Sequence, residues 1–146
     1  MLRWSLLRRV GPFVNIDRPP SSGYELSELA SPAVLRQFLA ANKERLVVCV
    51  VHPSTTARIR DNPLAVDLAA SLNKHNFGHP SEICFAFLPA ALNKPFCEEN
   101  NILSTPTSLI YKDSDLVDRV VGSRFVELSL KTRLLLRLDE RRIFNS

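Results

Sequence analysis

Apolar positions in this chain follow two rhythms. Residues 46–51 (Leu46, Val47, Val48, Cys49, Val50, Val51) and 83–88 (Ile83, Cys84, Phe85, Ala86, Phe87, Leu88) are unbroken apolar runs rich in β-branched and aromatic residues. They predict strands covered on both faces. Between and around them the spacing is helical. Ser31-Pro32 is a helix start: the serine can cap free amides, and proline costs nothing at the first helical position. Val34, Leu35, Phe38 and Leu39 then give one apolar face ending near Lys43. A second helix carries Leu64, Ala65, Leu68, Ala69 and Leu72, with Pro63 kinking or restarting it. A short helix is expected over 92–100. A last helix is expected from Ser123 as cap, through Phe125, Leu128, Leu134, Leu135 and Leu138.

Three further strands complete the pattern. Residues 24–27 read as a short first strand. Residues 107–111 and 116–121 flank Asp113-Ser114 and read as a hairpin. The order is β-α-β-α-β-α-β-β-α. Strands that alternate with helices and then close in a hairpin imply an α/β fold, a mixed central sheet with helices on both faces.

The first eighteen residues follow a different logic. Arg3, Arg8, Arg9 and Arg18 face Asp17 alone, a balance of +3 out of the net +4. On a helix, Leu2, Leu6, Val10 and Phe13 share one side, with Trp4 and Leu7 at its margins. This Arg-rich, acid-poor, amphipathic pattern is that of a mitochondrial targeting segment. The arginines would interrupt the apolar core of a secretory signal, and the plain alternative is a retained, exposed basic arm. Residues 15–23, with Pro19, Pro20, Ser21 and Ser22, read as a linker. The expected organisation is an arm over 1–22, one domain over 23–140 and a tail over 141–146.

The remaining 128 residues hold 15 basic and 14 acidic groups. So balanced a body is a poor nucleic-acid binder, since such binding rests on many Lys and Arg contacts to phosphate. No apolar run approaches the roughly 20 residues of a membrane span. Three cysteines, Cys49, Cys84 and Cys97, form no C-x-x-C pair and no disulfide scaffold.

The stretch 101–113, Asn-Ile-Leu-Ser-Thr-Pro-Thr-Ser-Leu-Ile-Tyr-Lys-Asp, continues through a second strand to Gly122. Together with the order of elements it resembles the thioredoxin family from about Tyr24 to Leu138. The resemblance implies a thioredoxin-like fold and a cis Thr105–Pro106 bond. It also implies a partner-binding groove around Pro53, Thr55, Thr105 and Pro106. It further implies a Trp-Cys-Gly-Pro-Cys-Lys element after the central strand. Here that place reads Pro53-Ser54-Thr55-Thr56-Ala57-Arg58. Ser54 stands where the attacking cysteine would be and Ala57 where the resolving one would be. A one-residue slip of register supplies no sulfur, because no cysteine lies between Cys49 and Cys84. Dithiol exchange needs a thiolate at a helix N-terminus; a serine hydroxyl stays protonated near pH 7. The resemblance is therefore to a redox-inactive member.

Other chemistry has plain alternatives. Cys49 and Cys84 read as small hydrophobes inside strands. Cys97 precedes Glu98 and Glu99, which would raise its pKa. A Cys84–Cys97 disulfide is an alternative that a reducing matrix disfavours. His75, His79 and Cys84 lack a fourth zinc ligand. His52 could act as a base for Ser54, but nothing is placed to orient the imidazole.

The expectation is a non-enzymatic accessory subunit of a mitochondrial membrane assembly, a respiratory-chain complex or the ATP synthase. It would need no cofactor, would sit at the inner membrane or in the matrix, and would act by packing against other protein subunits. The alternatives are a structural protein of the mitochondrial ribosome, a thiol oxidoreductase using Cys97 or Cys84, and a chaperone-like domain. The last helix carries Lys131, Arg133, Arg137, Arg141 and Arg142 against Asp139 and Glu140. These bases complement the helix dipole, or they dock an acidic protein, a lipid headgroup or, ranked below these, RNA.

Overall fold

The computed structural model describes residues 14–15, 24–54 and 63–145; the side chains of 14–15, 63–65 and 138–145 lie outside that description. So do the amphipathic arm over 1–13 and the contacts expected of Leu64, Ala65 and Leu138. The described strands are β1 (Val14–Asn15), β2 (Glu25–Glu28), β3 (Leu46–His52), β4 (Ile83–Pro89), β5 (Thr107–Lys112) and β6 (Asp115–Val121). The helices are α1 (Pro32–Ala41), α2 (Pro63–Leu72), α3 (Lys94–Glu99) and α4 (Phe125–Asn145). Among the described residues no helix is long and apolar enough to cross a membrane.

The strands form one mixed sheet in the order β1-β2-β4-β3-β5-β6. β4 runs parallel to both β2 and β3, while β5 and β6 are antiparallel additions. Every residue of β3 and of β4 is buried. Because side chains alternate across a strand, the sheet has two apolar faces. Leu46, Val48, Val50, Phe85 and Phe87 pack with Leu68 and Leu72 of α2 and with Phe125 and Leu128 of α4. Val47, Cys49, Val51, Cys84 and Leu88 pack with Leu35, Phe38 and Leu39 of α1 and Phe96 of α3. Covering both faces is what makes unbroken apolar strands affordable in water.

Local chemistry sets the element ends. Ser31 Oγ accepts the Val34 N–H at 3.3 Å, and Pro32 opens α1. Asn42 closes that helix, its Nδ2 donating to the Phe38 carbonyl at 2.8 Å. Arg45, buried at the start of β3, donates to Glu25 Oε2 at 2.7 Å and to the carbonyls of Pro80 and Ile83. One guanidinium thus ties the entries of β2, β3 and β4 together. The hairpin turns through Asp113 and Ser114, both with positive φ (51° and 69°), the conformation a two-residue hairpin needs.

Three details differ from the sequence expectations. Val14–Asn15, expected in the arm and linker, pairs antiparallel with Ser27 and Glu28 as an outer strand; two residues carry no periodicity to betray a strand. Ser123 does not cap α4: the first helical bond runs from the Leu128 N–H to the Arg124 carbonyl at 3.0 Å, one residue later. The β5–β6 pairing shifts register between Ile110 and Tyr111, leaving Val117 unpaired. A bulge of this kind turns an edge strand away from further pairing.

Gly78 is required by its surroundings. Its φ is +120°, and a Cβ there would lie 2.5 Å from Leu136 Cδ1 of α4. Gly122 has φ +87°, but a Cβ there would meet only Arg124 Cγ at an ordinary 3.9 Å. We expect Gly78→Ala to cost about 2 kcal/mol or more and Gly122→Ala about 1 kcal/mol, read from chemical denaturation. The reverse ranking would contradict the close approach of α4.

Candidate functional site

The site lies where β3 and β4 end side by side. His52 closes β3 opposite Pro89, and its carbonyl accepts the Ala90 N–H at 2.8 Å. Asn93 holds the β4–α3 connection by donating to the carbonyls of Pro89 (2.8 Å) and Ala30 (3.1 Å). Across from it, Thr105–Pro106 is a cis peptide bond. That loop is fixed by Thr107 Oγ1 donating to the Ser104 carbonyl at 2.7 Å, and by the Gly122 N–H donating to the Pro106 carbonyl at 2.8 Å.

These connections enclose a shallow cleft of about 330 Å³, lined by Pro53, Ala90, Ala91, Lys94, Cys97, Ile102, Leu103, Ser104 and Thr105. A neighbouring cleft of about 350 Å³ shares Lys94, Cys97, Ile102 and Leu103. Leu103, between the two, is 96% exposed. The expected groove residues Pro53 and Thr105 therefore do meet. Pro106 is half-buried beside them. Thr55 and Ala57 lie outside the described residues, as do Thr56 and Arg58.

Ser54 does not face the cleft as a nucleophile would. It is buried, with 2% of its surface exposed. Its backbone N–H donates to His52 Nδ1 at 3.3 Å. That bond places the imidazole proton on Nε2, so the ring offers no lone pair to the Ser54 hydroxyl. His52 is therefore not set as a base for this serine. His52 is itself fully buried, with its ring 6.3 Å from that of Phe87 and its Nε2 without a hydrogen-bond partner among the described residues. Burial lowers its pKa to about 4.

The other proposed groupings separate. His75 packs its ring against Phe77 and Phe125. His79 Nδ1 bonds Ser81 Oγ at 2.7 Å, and Cys84 is fully buried in the sheet. Among the described residues no group of three could hold a metal ion. Cys49, Cys84 and Cys97 form no disulfide with one another. Burial, and secondarily Cys97, pushes Cys49 up to about 12. Cys97 is half-buried, and its pKa is raised by desolvation first and by Glu98 second. Its place in the cleft was not legible in the sequence: the α3 turn brings it there through the Ile102 N–H bond to its carbonyl at 2.8 Å.

Proteins of known structure share this architecture. Fasciola hepatica thioredoxin matches with a TM-score of 0.55 at 24% identity, over 72% of this chain and 94% of that one. Trypanosoma brucei brucei thioredoxin matches with a TM-score of 0.54 at 18% identity, over 83% and 96%. The fold is that of thioredoxin. A designed protein matches with a TM-score of 0.53 at 22% identity, over 74% of this chain and 94% of that one. No protein-family model and no curated protein matches the sequence.

Two measurements test the site. The unfolded chain protonates His52 near 6.5 and the folded chain near 4. The unfolded state therefore binds more protons in that window. The stability from the neutral ring is complete above pH 6.5 and is lost as pH falls towards 4, by about 3 kcal/mol at most. His52→Asn keeps an acceptor for the Ser54 N–H without titrating. It should flatten this slope in urea melts at pH 6.5 and pH 4, and an unchanged slope would contradict the burial of His52. In maleimide labelling followed by mass spectrometry, Cys97 should react in the native protein, more slowly than a free cysteine. Cys49 and Cys84 should react only after unfolding.

Proposed function

We propose that this chain is a non-catalytic, thioredoxin-fold accessory subunit of a large mitochondrial membrane assembly, acting through packing and protein–protein contacts. The observation that carries the reading is Ser54, a buried serine that the resemblance sets where the family's attacking cysteine would stand. A fold kept without its usual nucleophile fits a domain retained for its shape. The cleft beside Thr105 supports contact with a partner segment, because Leu103 and Leu92 stand exposed at its rim and in the connection leading to α3. The basic, acid-poor arm supports a mitochondrial location. The nearly neutral body favours a respiratory-chain complex or the ATP synthase over the ribosome.

One observation favours a second reading, a thiol oxidoreductase. Cys97 lines the cleft together with Pro53 and Thr105. Its raised pKa argues against a standing thiolate. Cys84, the other candidate, is fully buried and cannot meet a substrate without unfolding.

The test is native fractionation of mitochondria from cells that make the protein. We expect the chain in a megadalton band and no insulin reduction by the purified protein. A free monomer throughout the gradient would overturn the subunit reading. Turnover abolished by Cys97→Ser would establish the second.

A further inference from the structure

We propose that the outward face of α4 is a docking ridge for an acidic amphipathic helix of a partner protein. Phe125 and Leu128 of this helix are buried against the sheet, and Thr132 is buried as well. A helix lying on a domain surface ordinarily turns polar residues outward. α4 instead turns out Val126, Leu130 and Leu134, which are 63%, 56% and 57% exposed. Their spacing of four places them in one row, the kind of ridge that packs into the groove of another helix. Next to its first turn the row borders an open cleft of about 500 Å³, lined by His75, Arg124, Phe125, Val126 and Leu130 among others. That hollow is suited to receive one partner side chain beside the ridge.

Charge selects the partner. At about 100° per residue, Arg133 and Arg137 project within about 60° of Leu130. Neither has a carboxylate partner among the described residues; Arg133 donates only through Nε, to the Ser129 carbonyl at 3.3 Å. Glu127, on the other flank, is already engaged by Arg124 at 3.3 Å and Lys131 at 3.9 Å. Lys131 also holds Asp118 at 3.1 Å. Among the described residues this flank is therefore cationic, and an incoming helix carrying Asp or Glu beside its aliphatic positions would complement it. A second copy of this chain is disfavoured, since two antiparallel ridges related by a two-fold axis would set arginine flank against arginine flank. A bilayer surface is disfavoured because it takes up a broad apolar face, whereas here the opposite side of the helix is spent on the core.

This inference rests on the reading of the chain as an assembly component, and its test separates the two. A photo-cross-linking residue replaces Leu130 in the full chain, expressed in cells that make the protein, with a matching probe at exposed Glu44 as control. The expected result is one discrete protein adduct from position 130 and none of the same identity from position 44. Its cross-linked peptide should carry aliphatic residues three or four apart, flanked by Asp or Glu. The double change Arg133→Glu and Arg137→Glu should lower the yield about tenfold, the effect of roughly 1.4 kcal/mol. Arg133→Lys with Arg137→Lys should retain it, which guards against mere misfolding. Adducts with a second copy, with lipid or with a basic segment would overturn the proposal. So would no adduct, or a yield indifferent to charge reversal, while the chain still migrates in a large assembly.

Discussion

The structure depends on one constraint: β3 and β4 lie side by side at the centre of the sheet with no face open to water. Backbone groups in such strands are satisfied by their neighbours, but the side chains need apolar cover above and below. Helices must therefore sit on both faces, and the connections to them must leave from the strand ends. The cleft is a consequence of that arrangement. β3 and β4 finish together at His52 and Pro89. The Thr105–Pro106 loop closes the third side because β5 pairs with β3 along the same edge.

The same constraint makes the shape of the site independent of any one side chain after β3. Nothing in the packing of β3 against β4 needs a cysteine after β3. The end of the strand is held by the bond from the Ser54 N–H to a neutral His52 and by the Ala90 N–H on the His52 carbonyl. The buried imidazole stays uncharged near neutral pH and lies beside the ring of Phe87. Fold and activity are separable properties, and the subunit reading takes the fold as what is kept. The outward ridge of α4 belongs to the same view: one face of the helix serves the core, and the other is left with aliphatic side chains that water does not favour.

Much of the architecture was legible in the sequence because hydrophobic periodicity reports burial directly. The runs at 46–51 and 83–88, the Ser31-Pro32 helix start and the Asp113-Ser114 hairpin all appear within a residue or so of where the pattern put them. Other features were hidden because they arise from tertiary placement. Val14–Asn15 is a strand only because β2 offers an open edge. The burial of Ser54 and His52 could not be read from two polar residues at a strand end. Cys97 reaches the cleft because α3 is short and its following turn, with Asn101 at φ 54°, folds back towards Thr105. In the helical pattern that cysteine looks no different from any residue beside two glutamates.

In the proposed reading the chain works through its surfaces and not through sulfur. The most direct measurement replaces Cys97, the one thiol in the cleft, with serine in the full chain and follows the cell's own assembly. Native gels and a functional assay of the complex should be unchanged, with thermal melting confirming a folded chain. Loss of the complex's activity from a folded, correctly assembled Cys97→Ser subunit would contradict the claim.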